Sequence, residues 1–178
     1  MWARDGWALI LGVLLAIGAK RAWGARAGAR QMQYKPGSPA LARLLRSAAA
    51  AARVPESWAT NDDIHYIIRV ESGGWVGIPN YTYGRRQDQR FPGDISSPTR
   101  LELWPQVHAE LRAGVKGAIS TATGLGQLIL ANVTAYYPEG AEGIGDAWNE
   151  AVGYLAYVRS RYGSPAEAAR VRRSEGHY

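Results

Sequence analysis

The chain has 178 residues, of which 47% are hydrophobic and 20% are charged, and this favours one substantial folded core with appendages over disorder throughout. It contains no cysteine, which excludes disulfide bonds and thiolate metal sites, and its three histidines lie far apart without metal-ligand spacing. We therefore expect no metal and no cofactor. The formal net charge of +6 suits an acidic partner such as nucleic acid, an anionic lipid surface or a cell-wall polymer, without choosing among them.

The N-terminal segment, residues 1–22, contains the uncharged run "WALILGVLLAIGA" at residues 7–19. This run is short for a membrane-spanning helix, which needs about 20 apolar residues. It is compatible with the hydrophobic region of a signal peptide, with a weak membrane anchor bracketed by Trp2, Trp7 and Trp23, and with a buried core helix. The basic flank follows the run, which favours a cytoplasmic position for the residues after it, so a domain that is anchored by this run and acts on the outside needs an unusual route there.

Residues 23–54 form a basic linker rich in Ala, Gly and Pro, followed by a helix. Ser38 and Pro39 have the pattern of an N-cap with proline at the first helical position, and the helix is expected to end before Pro55. A second helix is predicted from Thr60 or Asn61 to Glu71.

The middle of the chain, residues 78–108, has scattered prolines and glycines and no sustained period, so it is predicted to be a long irregular segment with a short helix near its end. Its aromatic residues favour a groove wall. Residues 121–138 indicate a glycine turn leading into a helix that stops at Pro138.

A last long helix is predicted to end at Gly163, with one apolar stripe. The basic residues beyond it are interpreted as a solvated tail. The predicted fold class is mostly α, preceded by the N-terminal apolar helix. The residues of the stripe are Trp148, Val152, Leu155, Val158 and Tyr162.

The sequence "RVESGGW" places a carboxylate, Glu71, on the apolar face of the second helix. Ile64, Ile67 and Ile68 lie seven, four and three positions before it. A carboxyl at the edge of such a face loses solvation, its pKa rises, and it can donate a proton near neutral pH. The alternative is a surface glutamate in a last turn that the two glycines terminate. Ser72 is expected either to bond locally or to contact substrate.

Three segments in order resemble the signature regions of the soluble lytic transglycosylase family, within the lysozyme-like superfamily. They are "ESGGW" at 71–75, "STATGLGQL" at 120–128 and "EAVGYLAYVRSRYGSPAEA" at 150–168. The chain is most similar to versions carried by bacteriophages. The resemblance covers about residues 55–178 and implies a lysozyme-like domain, of the goose-type or lytic transglycosylase kind, over that range.

The resemblance implies that Glu71 is the single catalytic carboxylate of an enzyme that cuts the bond between N-acetylmuramic acid and N-acetylglucosamine. It would act as acid and then as base, leaving a 1,6-anhydro end. Gly124, Leu125 and Gln127 would line the groove beside that bond, where glycine admits close approach and an amide suits an N-acetyl group. Peptidoglycan is then the partner, and no nucleic acid is expected.

One family feature is missing, because the chain has "EAARVRRSEGHY" where the family carries a tyrosine near the catalytic glutamate. Tyr81, Tyr83, Tyr154 and the terminal Tyr178 are candidates to replace it. Nothing in the sequence selects one of them.

The sequence is also compatible with other functions. A hydrolytic goose-type lysozyme would need a second carboxylate, for which Asp88, Asp94, Glu102 and Glu110 are candidates. A non-catalytic membrane or virion protein with a wall-binding domain is a further alternative. The expected location is at a membrane, through residues 7–19, facing the wall in the periplasm or in a virion, or secreted if the N-terminus is a signal peptide.

Overall fold

The computed structural model describes residues 32–83, 95–114 and 118–177, and these belong to one compact unit that begins at Met32. The described part is mostly helical and pairs its extended segments only through isolated bridges, which confirms the mostly α prediction. None of the described helices is both long and apolar enough to cross a membrane. The predicted N-terminal apolar segment lies outside the described residues.

Six α-helices are present in the described ranges, with short 3₁₀ helices between them. The 3₁₀ helices are Glu56–Thr60, Pro98–Leu103 and Gly140–Gly143. The α-helices are α1 (Pro39–Ala52), α2 (Asp62–Glu71), α3 (Trp104–Arg112), α4 (Leu130–Tyr136), α5 (Ala147–Tyr162) and α6 (Pro165–Glu175).

Helix α1 begins where the sequence predicts. The Ser38 hydroxyl accepts a hydrogen bond from the Leu41 N–H at 3.2 Å, and Pro39 occupies the first helical position. The helix ends two residues earlier than predicted, at a left-handed Arg53. Its apolar face packs on α5, so this helix belongs to the same core as the predicted 55–178 domain.

Helix α2 also follows its prediction. The Asn61 side chain accepts hydrogen bonds from the Asp63 and Ile64 N–H groups at 3.0 and 3.1 Å and so caps the first turn. The isoleucine face of this helix is fully buried. Glu71 is its last residue, at the edge of that buried face.

Helix α5 lies at the centre of the fold. Every residue from 149 to 158 is buried, including the polar Asn149 and Glu150, so the predicted single stripe understates its burial. Burial on all sides arises because α1, α4 and α6 pack around it. Gly163 ends the helix in a left-handed conformation, with φ of 75°, as predicted.

Helix α6 corrects the interpretation of the chain end as a solvated tail. The Ser164 hydroxyl accepts a hydrogen bond from the Glu167 N–H at 3.2 Å, Pro165 stands at the first helical position, and Gly176 ends the helix. The helix packs against α2 and α5. It brings Arg172 to Glu71 at the end of α2 and Arg173 to Asp63 in the first turn of α2.

The second half of the predicted irregular segment, from residue 95 onwards, is more regular than predicted. A 3₁₀ helix runs directly into α3, and the Trp104 side chain is buried, its indole N–H donating to the Ile95 carbonyl at 2.8 Å. This tryptophan anchors a second apolar cluster beside the main one. The residues from 84 to 94 lie outside the described ranges.

Candidate active site

A groove of about 610 Å³ runs along the end of α2. Its walls come from Val70 and Glu71, from the segment 78–81, from the residues around Gln127 and from the end of α6. The elements that meet here are distant in sequence, and the folding of α6 onto α2 brings them together. Concave sites of this size are where ligands bind most often.

Glu71 lies in this groove with its side chain only 16% exposed. The Nε–H of Arg172 donates a hydrogen bond to Glu71 Oε1, and the two groups form an ion pair. Burial raises the pKa of Glu71, and this outweighs Arg172 and His177, whose charges and hydrogen bonding act to lower it. The carboxyl therefore holds a proton more readily than an ordinary glutamate.

Ser72 does not line the groove but lies beneath it. Its buried hydroxyl donates to the Leu125 carbonyl at 2.8 Å and accepts from the Gly74 N–H at 3.1 Å. The bond crosses 53 residues of chain and joins the end of α2 to the glycine turn. Ser72 thus fixes the position of its neighbour Glu71.

The glycine turn spans residues 123–128. The Thr123 and Leu128 backbones exchange two hydrogen bonds, both 3.1 Å long, and Gly124 has a φ of 76° that favours glycine. Gln127 adopts a left-handed conformation, with φ of 47°, and lines the groove. Leu125 is fully buried and Gly124 is buried, so both lie below the groove surface.

The Gln127 side chain links the glycine turn to the segment 78–81 of the groove wall by two hydrogen bonds. Its Nε2 donates to the Ile78 carbonyl at 2.9 Å, and its Oε1 accepts from the Asn80 amide at 3.2 Å. The amide that the sequence analysis assigned to substrate binding is therefore bonded to protein in this structure. Its position in the lining still places it within reach of a ligand.

Glu150 is a structural carboxylate that the sequence analysis did not single out. It is fully buried, and its two oxygens accept hydrogen bonds from the N–H groups of Gly77, Gly145 and Leu125 at 2.9 to 3.0 Å. Burial raises its pKa to about 7, although these three hydrogen bonds favour the ionised form. A Cβ at Gly124 would lie 2.6 Å from this carboxylate, so the turn needs glycine there.

His108 binds the loop that contains Gly77, whose N–H donates to Glu150. Its Nε2 lies 2.6 Å from the Gly77 carbonyl, which can only accept, so this nitrogen carries the proton. Burial lowers the pKa of His108. No group of three or more potential metal ligands occurs among the described residues.

The candidate tyrosines lie in different places. Tyr81 is 56% exposed and lines the groove. Tyr83 is buried and its hydroxyl donates to Glu110 Oε2 at 2.8 Å, away from the groove. Tyr178 lies outside the described residues.

Tyr154 is fully buried behind α2. Its hydroxyl donates to the Ile64 carbonyl at 3.1 Å. Burial raises its pKa well above the ordinary value, and the nearby Glu71 carboxylate adds to the rise. Tyr154 is therefore electrostatically coupled to Glu71 from the interior of the domain.

The candidates for a second carboxylate are not gathered at the groove. Glu102 is exposed and Glu110 bonds to Tyr83, and neither lines the groove. Asp88 and Asp94 lie outside the described residues. Of the described residues that line the groove, Glu71 alone is a carboxylate.

Comparison of the chain with models of protein families, with curated proteins and with solved structures found no match.

Proposed function

We propose that the chain is a peptidoglycan lytic transglycosylase with a lysozyme-like domain. The observation that carries the proposal is the position of Glu71, a largely buried carboxyl with a raised pKa, in a groove at the end of an apolar helix. The motif at 71–75 contributes Glu71 to the groove, and the motif at 120–128 contributes Ala122 and Gln127. The third motif, at 150–168, contains most of the central helix α5. A single carboxylate suffices for this reaction.

In the first step, protonated Glu71 gives its proton to the oxygen that joins C1 of N-acetylmuramic acid to C4 of N-acetylglucosamine. The C1–O bond breaks and the N-acetylglucosamine side leaves with a free 4-hydroxyl. In the second step, the ionised Glu71 takes the proton of the muramic C6 hydroxyl, and the C6 oxygen closes on C1. One group serves as acid and then as base, and it ends the cycle protonated again.

The groove lining suits a sugar chain. Val70, Tyr81 and Ile129 are each at least 40% exposed although they are apolar or aromatic, and all three line the groove. The Tyr81 ring offers a flat face and the two aliphatic side chains offer apolar contacts to the carbon faces of sugar rings, while polar groups fix orientation. The positive net charge is compatible with an anionic wall polymer.

The cellular setting of this proposal comes from the sequence. Residues 7–19 would hold the domain at a membrane, or direct it for secretion, so that it faces the wall from the periplasm or from a virion. A bacteriophage origin would fit local opening of the wall during genome delivery or lysis. Hydrolysis by a goose-type lysozyme and wall binding without cleavage are the rival outcomes of the tests.

The test is the rate at which the full-length chain solubilises purified peptidoglycan. Glu71→Gln keeps the size of the side chain but removes its proton, so we expect the rate to fall at least about 100-fold. Glu102→Gln is the matched control, an exposed carboxylate outside the groove, and should retain the rate. Circular dichroism of both variants establishes that they are folded. Full activity of folded Glu71→Gln would refute the proposal.

A further inference from the structure

The ion pair between Arg172 and Glu71 has a chemical consequence for any ligand of the groove. Both side chains are largely buried, 21% exposed for Arg172 and 16% for Glu71, and both line the groove. The arginine is carried by α6 and the glutamate by α2, 101 positions apart in the sequence. The contact is therefore made by the tertiary fold rather than by neighbours on one helix.

To act as an acid, Glu71 must first carry a proton, and this changes the net charge of its pair with Arg172. A glutamate that carries a proton is neutral, whereas an arginine stays charged at all relevant pH values. Within the described lining of the groove, no other carboxylate is present to take the place of Glu71 beside Arg172. A partly buried guanidinium without an anion is costly, so a ligand that brings an anion favours the proton-carrying state of Glu71.

We propose that Arg172 binds a carboxylate of the peptide attached to the glycan strand, and that it leaves Glu71 to do so. This inference rests on the proposed function. The peptide is attached to the muramic acid residue whose C1–O bond is cut. The carboxylates of the peptide are therefore held near the reacting atoms. The planar guanidinium can donate two parallel hydrogen bonds to a carboxylate ligand, which a lysine cannot match.

The exchange couples recognition to catalysis. While Arg172 holds Glu71, its charge and hydrogen bond oppose protonation of the acid. When the peptide carboxylate takes the guanidinium, that opposition is removed and Glu71 takes up a proton next to its substrate. Arg172 is thus a specificity-determining residue, and strands with neutral peptides should be poorer substrates.

The next residue on α6 provides a matched control. Arg173 pairs with Asp63 at 2.8 Å, its guanidinium lies 4.5 Å from the centre of the Tyr66 ring, and it does not line the groove. Arg173→Gln and Arg172→Gln remove the same charge from the same helix. Only the second removes it from the groove.

The experiment compares two forms of one substrate, peptidoglycan freed of accessory polymers and the same material with its carboxylates converted to methylamides. Wild-type protein and Arg173→Gln should cut the untreated form at least about tenfold faster, the ratio expected from roughly 1.4 kcal/mol of charge-assisted hydrogen bonding. Arg172→Gln should cut both forms at similar rates. Equal rates for wild-type protein on the two forms, or a preference retained by Arg172→Gln, would overturn the inference.

A binding measurement keeps the inference testable if no cleavage is seen. Isothermal titration of the full-length chain with a soluble muropeptide, in its free-acid and methylamide forms, should give a tenfold or larger difference in Kd for the wild type, about 1.4 kcal/mol, and none for Arg172→Gln. Equal Kd values for the two forms would refute anion recognition by Arg172. Lack of cleavage with a retained Kd difference would instead refute the proposed transglycosylase activity alone.

Discussion

Replacing Glu150 by glutamine tests the buried carboxylate on which the loops below the groove converge. The folded protein raises the pKa of Glu150 from the ordinary 4.5 to about 7, mainly through burial. Between these two values the folded state retains a proton that the unfolded state has released. Stability is therefore lost as the pH rises from about 4.5 to about 7, by about 1.4 kcal/mol per pH unit. The total contribution of this one group is about 3 kcal/mol.

The glutamine variant removes this dependence because an amide does not titrate. The glutamine N–H₂ group cannot accept a hydrogen bond, so at least one of the three backbone N–H groups that donate to Glu150 loses its acceptor. Glu150→Gln should therefore be less stable than the wild type at low pH. From pH 4.5 to 7 the difference in the free energy of unfolding between the two proteins should shift by about 3 kcal/mol in favour of the variant. Urea denaturation at several pH values measures it, and the other carboxyl groups cancel in the comparison.

A difference that stays constant with pH would refute this account of Glu150. If the variant does not fold, carbon NMR titration of the wild-type Glu150 carboxyl gives the same answer directly. A midpoint near pH 7 is expected. A midpoint near the ordinary value of a glutamate would contradict the account.

Two further substitutions test the packing below the groove. Gly124→Ala places a Cβ 2.6 Å from the Glu150 carboxylate, whereas Gly37→Ala meets nothing within 4 Å at a similar positive φ. Both should lose about 1 kcal/mol to backbone strain, and thermal unfolding should show about 1 to 3 kcal/mol more for Gly124→Ala, so equal losses would contradict the crowding. Tyr154→Phe removes the hydroxyl that donates to the Ile64 carbonyl and should cost about 1 kcal/mol in urea denaturation, and an unchanged midpoint would argue against that bond.

Helix positions were predictable where local signals determine them. Ser38 and Asn61 cap α1 and α2 as their residue types indicate, and Gly163 ends α5 in the conformation that glycine favours. The same kind of signal was present for α6, in the Ser164 and Glu167 pair. The buried residues of this helix are Pro165, Ala168 and Ala169, which give little hydrophobic period. This segment was predicted to be a solvated tail because charged residues dominate its composition.

The site could be predicted only in part. Three isoleucines on its own helix define the buried face beside Glu71, but this period alone also suits a surface glutamate. Glu71 was predicted as the acid because the ordered motifs resemble those of the lytic transglycosylase family. Its partner Arg172 lies 101 residues away, and no local period connects them. Glu150 stands in the first turn of a helix, where a glutamate is usually solvated, and its burial depends on N–H groups supplied by three separate loops.

Mass spectrometry of the fragments released from purified peptidoglycan by the full-length chain tests the central claim most directly. The account predicts 1,6-anhydro-muramic acid ends, each lighter by one water than the hydrolytic product, and their disappearance with Glu71→Gln. Reducing ends would show that water and not the C6 hydroxyl attacks C1, and would replace the transglycosylase with a lysozyme. Release of no fragment by the wild type, together with binding to the wall, would contradict an enzymatic role for Glu71.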